Sequence, residues 1–558
     1  MYDKLEVDVL VMGGGLAGLN AAIAALERGA RVAVMEKAKI ERSGDIAGGV
    51  DHFMAYLETG EEWDTREAYL NYVESEARGA VDIRIHERVF CDELFDAIQR
   101  MARIGNPLTY KGTTSYYRTA SFGQPGPYWI NFEGKYLKPK LAREVRRLGG
   151  IVLDRTMATK FFVRDNRIQG VTGVNVRNGQ FVFVSAKAVI AASGNTNRLF
   201  ETPTSMPFNT WLCPYNTGDA QTLAFEAGAT MANMEYLRMT IVPKGFSAPG
   251  LNAFTGIGAC FINSLGERYM ERYHPLKDKA PRNEIVFAAL TEIKEGRGPL
   301  FVDCRHLPEE KITHLKTTLG YDKETLPDYF HQKSIDLSVE PLEIMVSEAM
   351  QTGPLEVVGS GIKIDINCMS TVQGLFAAGD CADQMKCVHM AVAGGYAAGK
   401  CAQRYAATST NAGDVAESTI SAEKKRVFAP LGRNGGADYR EIEDVLRKIT
   451  AENVGPDRTE TSLRTAQRKI AELRKHLGEI RAKDHHELMR ALETASLMQV
   501  ASLMTDAALS RKESRFIPYH HRLDYPNTDN ENWCGQMLIV RDGEGTRTTF
   551  SSLQREGR

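Results

Sequence analysis

The alternation of apolar and polar positions divides the chain into segments of different period. An apolar run, Val9 to Met12, enters Gly13-Gly14-Gly15-Leu16-Ala17-Gly18 directly. The alanine-rich stretch Leu19 to Arg28 follows; such a composition forms helix well and packs thinly, and Gly29 is placed to stop it. Val32 to Met35 then reads as a short strand ending at Glu36. From Ile151 the period is that of strands, with Lys160 to Val163, Ile168 to Val171 and Gln180 to Val184 joined through Asp165-Asn166 and Arg177-Asn178-Gly179 as hairpin turns. Ala188 to Ala191 reads as a buried strand running out into Ala192-Ser193-Gly194. Asn216-Thr217-Gly218-Asp219-Ala220 opens a helix over Gln221 to Ala227, closed by Gly228. Between Met231 and Met345 the pattern is irregular and mixed, as expected of an inserted second domain. From Ser421 to Leu509 helix formers dominate, and Thr461 to Arg481 and Asp484 to Ala507 are expected as two long amphipathic helices of a bundle. The remainder, Ser510 to Arg558, is polar and expected to be irregular.

The first of these segments carries a specific chemistry. Gly13 permits a tight turn between strand and helix, Gly15 lets backbone approach a pyrophosphate, and Gly18 lets the helix pack closely on the sheet. The helix start, with Leu16 and Ala17, offers free N–H groups and the positive dipole end to phosphate. Glu36 stands about 20 residues beyond the glycines, where a carboxylate accepts ribose hydroxyls and disfavours a 2′-phosphate; Lys37 adjoins it. Far downstream, Thr371-Val372-Gln373-Gly374-Leu375-Phe376-Ala377-Ala378-Gly379-Asp380 supplies a second half, with Gly379 and Asp380 assigned to the same ligand. Ser193-Gly194 ends its strand in residues small enough to lie against a flat ring, and Asp219 stands at the turn after it. One dinucleotide gripped by both distant segments is the expectation.

Composition narrows the class without choosing a substrate. At 558 residues several domains are expected, and a net charge of -2 gives no electrostatic argument for nucleic acid or an anionic membrane. No apolar run is long enough for a bilayer span, and the opening residues lead straight into a strand without room for a signal peptide, so a cytoplasmic protein is expected. The nine cysteines contain no CxxC pair, which leaves no metal site to assign and no ferredoxin-type cluster motif. Small buried thiols are expected, with Cys381 and Cys387 near enough in sequence to be considered as a redox pair.

Together these pieces resemble the flavoprotein-subunit family of succinate dehydrogenase, fumarate reductase, L-aspartate oxidase and adenylylsulfate reductase. The resemblance is carried by the N-terminal fingerprint, Gly218-Asp219-Ala220, Asn263-Ser264-Leu265-Gly266-Glu267-Arg268-Tyr269, Gly374 to Asp380, and the C-terminal Glu513-Ser514-Arg515, His521 to Pro526 and Glu531-Asn532-Trp533. Glu41-Arg42-Ser43-Gly44, Pro281-Arg282-Asn283 and Glu295 to Pro299 look most like the adenylylsulfate reductase alpha subunit. The resemblance implies an α/β fold: a Rossmann-like FAD-binding domain with an inserted α+β capping domain and a C-terminal helical domain. The corresponding ranges are 1–230 and 347–420 for the FAD-binding domain, 231–346 for the cap, 421–509 for the helical bundle and 510–558 for the irregular tail. It adds Ser43, Gly44, Gly48 and Gly49 to the FAD site. Because Arg42-Ser43 is followed by Gly44 where covalent members carry histidine, the FAD is expected to be noncovalent.

For catalysis the resemblance singles out Arg282, since Ala280-Pro281-Arg282-Asn283 is similar to the family segment bearing its active-site arginine. Arg238 is a substrate-anion contact or a capping-domain salt bridge; His389 is a residue near flavin or substrate, or a packed core histidine. His52 is a weaker candidate. The stretch Ser347 to Leu355 lacks the histidine that the carboxylate-reducing members place there, and Gln351 and Thr352 cannot titrate. The expectation is therefore one subunit of an FAD-dependent oxidoreductase that works on a small anionic substrate. Electrons would be exchanged with a separate iron–sulfur, ferredoxin-like protein in a homo- or hetero-oligomer. Adenylylsulfate reduction, fumarate reduction and electron transfer without a small substrate are the alternatives.

Overall fold

The computed structural model describes residues 2–110, 112–120, 124–203, 206, 208–246, 251–319, 325–384, 386–409 and 415–553, with backbone alone at 251–253, 317–319 and 325. A mixed seven-stranded sheet forms its centre, in the order Ile151–Asp154, Val32–Glu36, Asp3–Met12, Phe181–Ala191, Arg167–Asn175, Thr156–Arg164. The seventh strand, Leu375–Ala377, lies beside the end of Phe181–Ala191. The meander strands are longer than their apolar cores, and Phe181–Ala191 is one continuous strand where two were expected. Its first half pairs antiparallel with Arg167–Asn175 and its last three residues pair parallel with Leu375–Ala377. Three strand ends consequently meet: Met12 opposite Ala191, and Ala191 opposite Ala377. Carboxyl ends of parallel strands brought side by side form the crevice in which open α/β sheets bind ligands.

Two helices hold that meeting in place. The glycine-loop helix Leu16–Leu26 and the long helix Cys387–Thr408 pack against each other along their small residues. A Cβ on Gly395 would overlap the Ala17 carbonyl, and one on Gly399 would overlap that of Ala21. Alanines on one helix and glycines on the other thus let the backbones touch.

Beyond the sheet, the mixed segment forms a second, four-stranded antiparallel sheet in the order Ile241–Pro243, Leu342–Val346, Leu300–Asp303, Cys260–Ile262. Met231–Ala232, at the start of that segment, pairs instead with Gly361–Ile362 and with Gly535–Asp542. Helices Glu417–Phe428, Tyr439–Asn453, Glu460–Arg474 and His485–Ser510 follow, the last three in mutual contact. The helix expected to reach Arg481 ends at Arg474 and continues as a tighter turn through Gly478 to Glu479. The tail is not irregular: Gly535–Asp542 and Gly545–Ser552 form an antiparallel hairpin joined at Gly543-Glu544. Its outer strand carries Thr, Arg and Ser on an exposed edge, which hides the strand period from a reading based on apolar positions.

His389, expected either near the flavin or substrate or packed in the core, is not among the residues lining the cavity described below, although its neighbours Val388 and Ala391 are. It lies in the helix Cys387–Thr408, fully buried, with neither ring nitrogen hydrogen-bonded among the described residues. The rings of Phe90, Phe53 and Trp129 surround it edge-on at 5.2, 6.3 and 6.3 Å. Burial, and after it the like charge of His86, push its imidazole down to about 3; burial likewise lowers His86 to about 4. Both rings stay neutral in the folded protein at pH values where the unfolded chain takes up protons. Stability should therefore fall as pH drops from about 6.5 towards 4, by up to roughly 1.4 kcal/mol per pH unit for each histidine. Urea unfolding across that range should show a shallower pH slope for His389→Leu than for the wild type. Equal slopes would contradict the buried neutral ring.

Candidate functional site

The crevice at the strand ends opens into a cavity of about 300 Å³ that runs from the glycine loop to the cap. At one end lie Gly13, Gly15, Leu16 and Ala17, with Glu36 and Lys37 from the next strand. No side chain caps the helix Leu16–Leu26, so its first N–H groups remain available to an anion. The carboxylate of Glu36 accepts from the backbone N–H of Gly14 and of Ala38, both at 2.7 Å. Those bonds fix its orientation and leave a lone pair on each oxygen for a ligand hydroxyl. Gly18 does not reach the cavity: a Cβ there would overlap the Gly13 carbonyl, so its small size serves the packing beneath the loop.

The middle of the cavity is lined by Gly44, Asp45, Gly49, Ser193 and Gly194, with Asp219, Gly379 and Asp380. Asp45, which the sequence reading passed over although it adjoins Gly44, accepts from Cys213 N–H at 2.9 Å and from Asn216 Nδ2 at 3.1 Å. Ser43 and Gly48 are not among the lining residues; Ser43 accepts instead from the buried ammonium of Lys138. Lys37 donates to Asp219 and to Glu493 at 2.8 Å each, and these carboxylates, outweighing burial, raise its pKa. His52 lines the cavity too, bonded to Asp51 and edge-on to Trp129 at 4.7 Å.

The far end is a cluster of buried charge. Arg238, from the strand Leu237–Arg238, and Arg282, the first residue of the helix Arg282–Lys294, both line the cavity. Both pair with Glu356, Arg282 at 3.3 Å, and Arg282 donates to Thr240 Oγ1 at 2.9 Å. Their guanidiniums stand 5.7 and 5.8 Å from the ring of Trp211. Of the two readings of Arg238, the structure shows the salt bridge, with the side chain also lining the cavity. Burial acts to raise the Glu356 carboxyl, but the two guanidiniums outweigh it and hold it at about 2. Nε and Nη1 of Arg238 have no partner among the described residues, and a buried N–H left unpaired costs about 1–3 kcal/mol.

Lys386 completes the cluster. It lines the cavity, is almost wholly buried, and donates to Thr352 Oγ1 at 2.6 Å. Burial, and then the adjacent Arg238, lower its pKa to about 8. Two helices, Arg282–Lys294 and Cys387–Thr408, begin at this end, so their positive ends reinforce three cationic side chains facing Glu356 and Asp380. Sequence reasoning found neither Lys386, Glu356 nor Trp211, which lie in aperiodic loops. The one usable signal was a lysine directly preceding a long small-residue helix. Gln351, in the stretch without histidine, is buried and donates to Ser360 Oγ at 2.6 Å. The arrangement joins a glycine-loop cradle to a buried cationic pocket within one cavity, and the uncapped helix and oriented Glu36 fit a dinucleotide.

Residues 8–399 match the family described as FAD binding domain, and residues 443–556 match fumarate reductase flavoprotein C-term. The chain is similar to one of the subunits of the fumarate reductase (CoM/CoB) of Methanothermobacter marburgensis, at 28% identity over 97% of this chain and 98% of that protein. It is 25% identical to the fumarate reductase flavoprotein subunit of Haemophilus influenzae, over 99% of this chain and 94% of the relative. Among solved structures, adenylylsulfate reductase from Archaeoglobus fulgidus superposes with a TM-score of 0.87 at 23% identity, over 99% of this chain and 96% of that one. E. coli quinol fumarate reductase gives 0.84 at 22%, over 100% and 98%. These structural likenesses establish the shared fold. Among the described residues no helix is long and apolar enough to cross a membrane. With the glycine cradle, the returning strand and both family matches in register along its length, the chain belongs to the FAD-dependent fumarate reductase/succinate dehydrogenase flavoprotein-subunit family.

Proposed function

We propose that this FAD-dependent oxidoreductase carries out two-electron redox chemistry on a small anionic substrate held between Arg238 and Arg282. Electrons would be exchanged with a separate iron–sulfur protein. The observation that carries the reading is the pair of buried guanidiniums sharing one carboxylate in the cavity that also contains the glycine loop. Two arginines against one glutamate leave a cationic surplus on largely buried side chains, and a bound anion restores the balance. Arg282 lies in the cavity wall, which favours an enzyme with its own substrate over an electron carrier. The iron–sulfur partner is supported by the absence of any CxxC motif in the sequence and by relatives named as subunits.

In this reading Gly13, Gly15, Leu16 and Ala17 hold the pyrophosphate of FAD, Glu36 its ribose, and Ser193, Gly194, Gly379 and Asp380 the remainder. Lys37 and Asp219 are assigned to the same wall, with Gly44 and Gly49 beside the ring. When bound, FAD supplies reversible two-electron chemistry, while the protein supplies orientation, exclusion of water and charge. The ranges 1–230 and 347–420 would carry the cofactor, 231–346 the cap, and 421–509 the helical support, with 510–558 contributing the hairpin described above.

Three outcomes are expected. Purified protein should be yellow and release all its FAD on acid precipitation, because Gly44 follows Ser43 where an attachment histidine would stand; flavin remaining on the polypeptide would contradict the noncovalent assignment. Photoreduced enzyme, mixed anaerobically with a panel of unsaturated carboxylates and oxidised sulfur compounds including adenylylsulfate, should be reoxidised by at least one. Arg282→Ala should slow that reaction by roughly 100-fold or more with the flavin spectrum unchanged. An undiminished rate would remove Arg282 from the site.

A further inference from the structure

Of the three cations at the cap end of the cavity, two cannot release a proton near neutral pH, since arginine stays charged in proteins. The third can. Lys386 Nζ spends one of its three N–H donors on Thr352 Oγ1, which leaves two for a ligand, and its side chain lines the cavity beside Arg238. Thr352 suits both charge states: its hydroxyl accepts from an ammonium and can turn to donate to an amine. We propose that Lys386 is the proton-exchanging member of the anion pocket, pairing with the bound anion as an ammonium and passing a proton between its Nζ and that anion. The inference rests on the anion-binding reading above. On transfer to the anion the Nζ–H bond breaks, a new bond to hydrogen forms on the anion, and the neutral amine remains hydrogen-bonded to Thr352.

The groups around Lys386 determine the direction of the pH effect. Arg238 faces it as a like charge, Asp380 and Glu356 face it as partial compensation, and the Cys387 thiol adjoins it. Burial pushes Cys387 up to about 12, so that thiol stays protonated over the relevant range. Glu356 is held at about 2 and Arg238 is raised by Glu356 against burial, so neither changes charge. Glu348 accepts the Trp211 backbone N–H and is raised by burial to about 7, and His52 also lines the cavity. Both are ionisable side chains that an experiment has to distinguish from Lys386.

The separation is available with malonate as a probe anion and the flavin-loaded protein, followed by tryptophan fluorescence and calorimetry from pH 7 to about 9.5. With burial and Arg238 lowering Lys386 to about 8, the dissociation constant should rise by up to roughly tenfold per pH unit above that point. Lys386→Arg should bind tightly with no such rise, because a guanidinium keeps its charge, while Lys386→Met should bind at least about tenfold more weakly at pH 7 with a flat profile. His52→Gln should retain the wild-type rise. A rise that survives in Lys386→Arg would overturn the assignment to Lys386. Failure of malonate to bind the wild type at any pH would overturn the anion pocket itself and the inference with it.

Discussion

Everything at the site depends on two helices touching backbone to backbone. The helix after the glycine loop and the helix after Asp380 are separated by most of the chain, yet Gly395 lies on the Ala17 carbonyl and Gly399 on that of Ala21. Any side chain at those two glycines would push the helices apart. Because each helix is anchored to a strand of the same sheet, their spacing fixes how closely Met12, Ala191 and Ala377 approach. The cradle at Gly13 and the wall at Gly379 are therefore one structure, assembled by packing rather than by local sequence.

A second constraint is electrostatic and links the cradle to the helical region. Lys37, next to Glu36, donates to Asp219 and to Glu493 of the helix His485–Ser510. Glu493 in turn pairs with Arg198 at 3.1 Å and with Arg490, and Glu443 of the neighbouring helix pairs with both arginines. Burial alone would raise Glu493, but Lys37, Arg198 and Arg490 hold it at about 2. Such a network does little for net stability, yet removing one member leaves a buried charge uncompensated, at about 3–5 kcal/mol. The helical region is thereby held in one position relative to the cofactor cavity. At the cap end the same principle is left incomplete, and the surplus of positive charge there is what a substrate would satisfy.

The parts of this protein that were legible in its sequence are those where backbone geometry dictates residue type. Gly13, Gly15 and Gly18 with Glu36 are readable because a tight turn, a close approach and a strand-end acid permit few alternatives. The meander was readable from its period of two and its Asn- and Gly-containing turns. Glu356, Lys386 and Trp211 were not, because charge placed by long-range folding leaves no periodic trace. His389 was open to two readings, because a histidine soon after a cofactor motif fits chemistry or packing. Its immediate neighbours Val388, Met390 and Ala391 are apolar, yet Val388 and Ala391 line the cavity, so sequence company alone does not choose between the two readings. The C-terminal hairpin escaped because its outer strand is polar, although Asp542-Gly543 is a turn signal.

The claim that one interhelical contact assembles the split cofactor site can be tested by adding a single methyl group. Gly395→Ala should raise intrinsic helix stability, since alanine is favoured over glycine by up to about 1 kcal/mol in a helix interior. Against the Ala17 carbonyl the same methyl group overpacks, typically at about 1–3 kcal/mol. The FAD dissociation constant of Gly395→Ala, measured against the wild type and against the uncrowded control Gly432→Ala, sets these effects in opposition. Weakening of FAD binding by about tenfold in Gly395→Ala alone is the predicted result, and unchanged or tighter binding would contradict it.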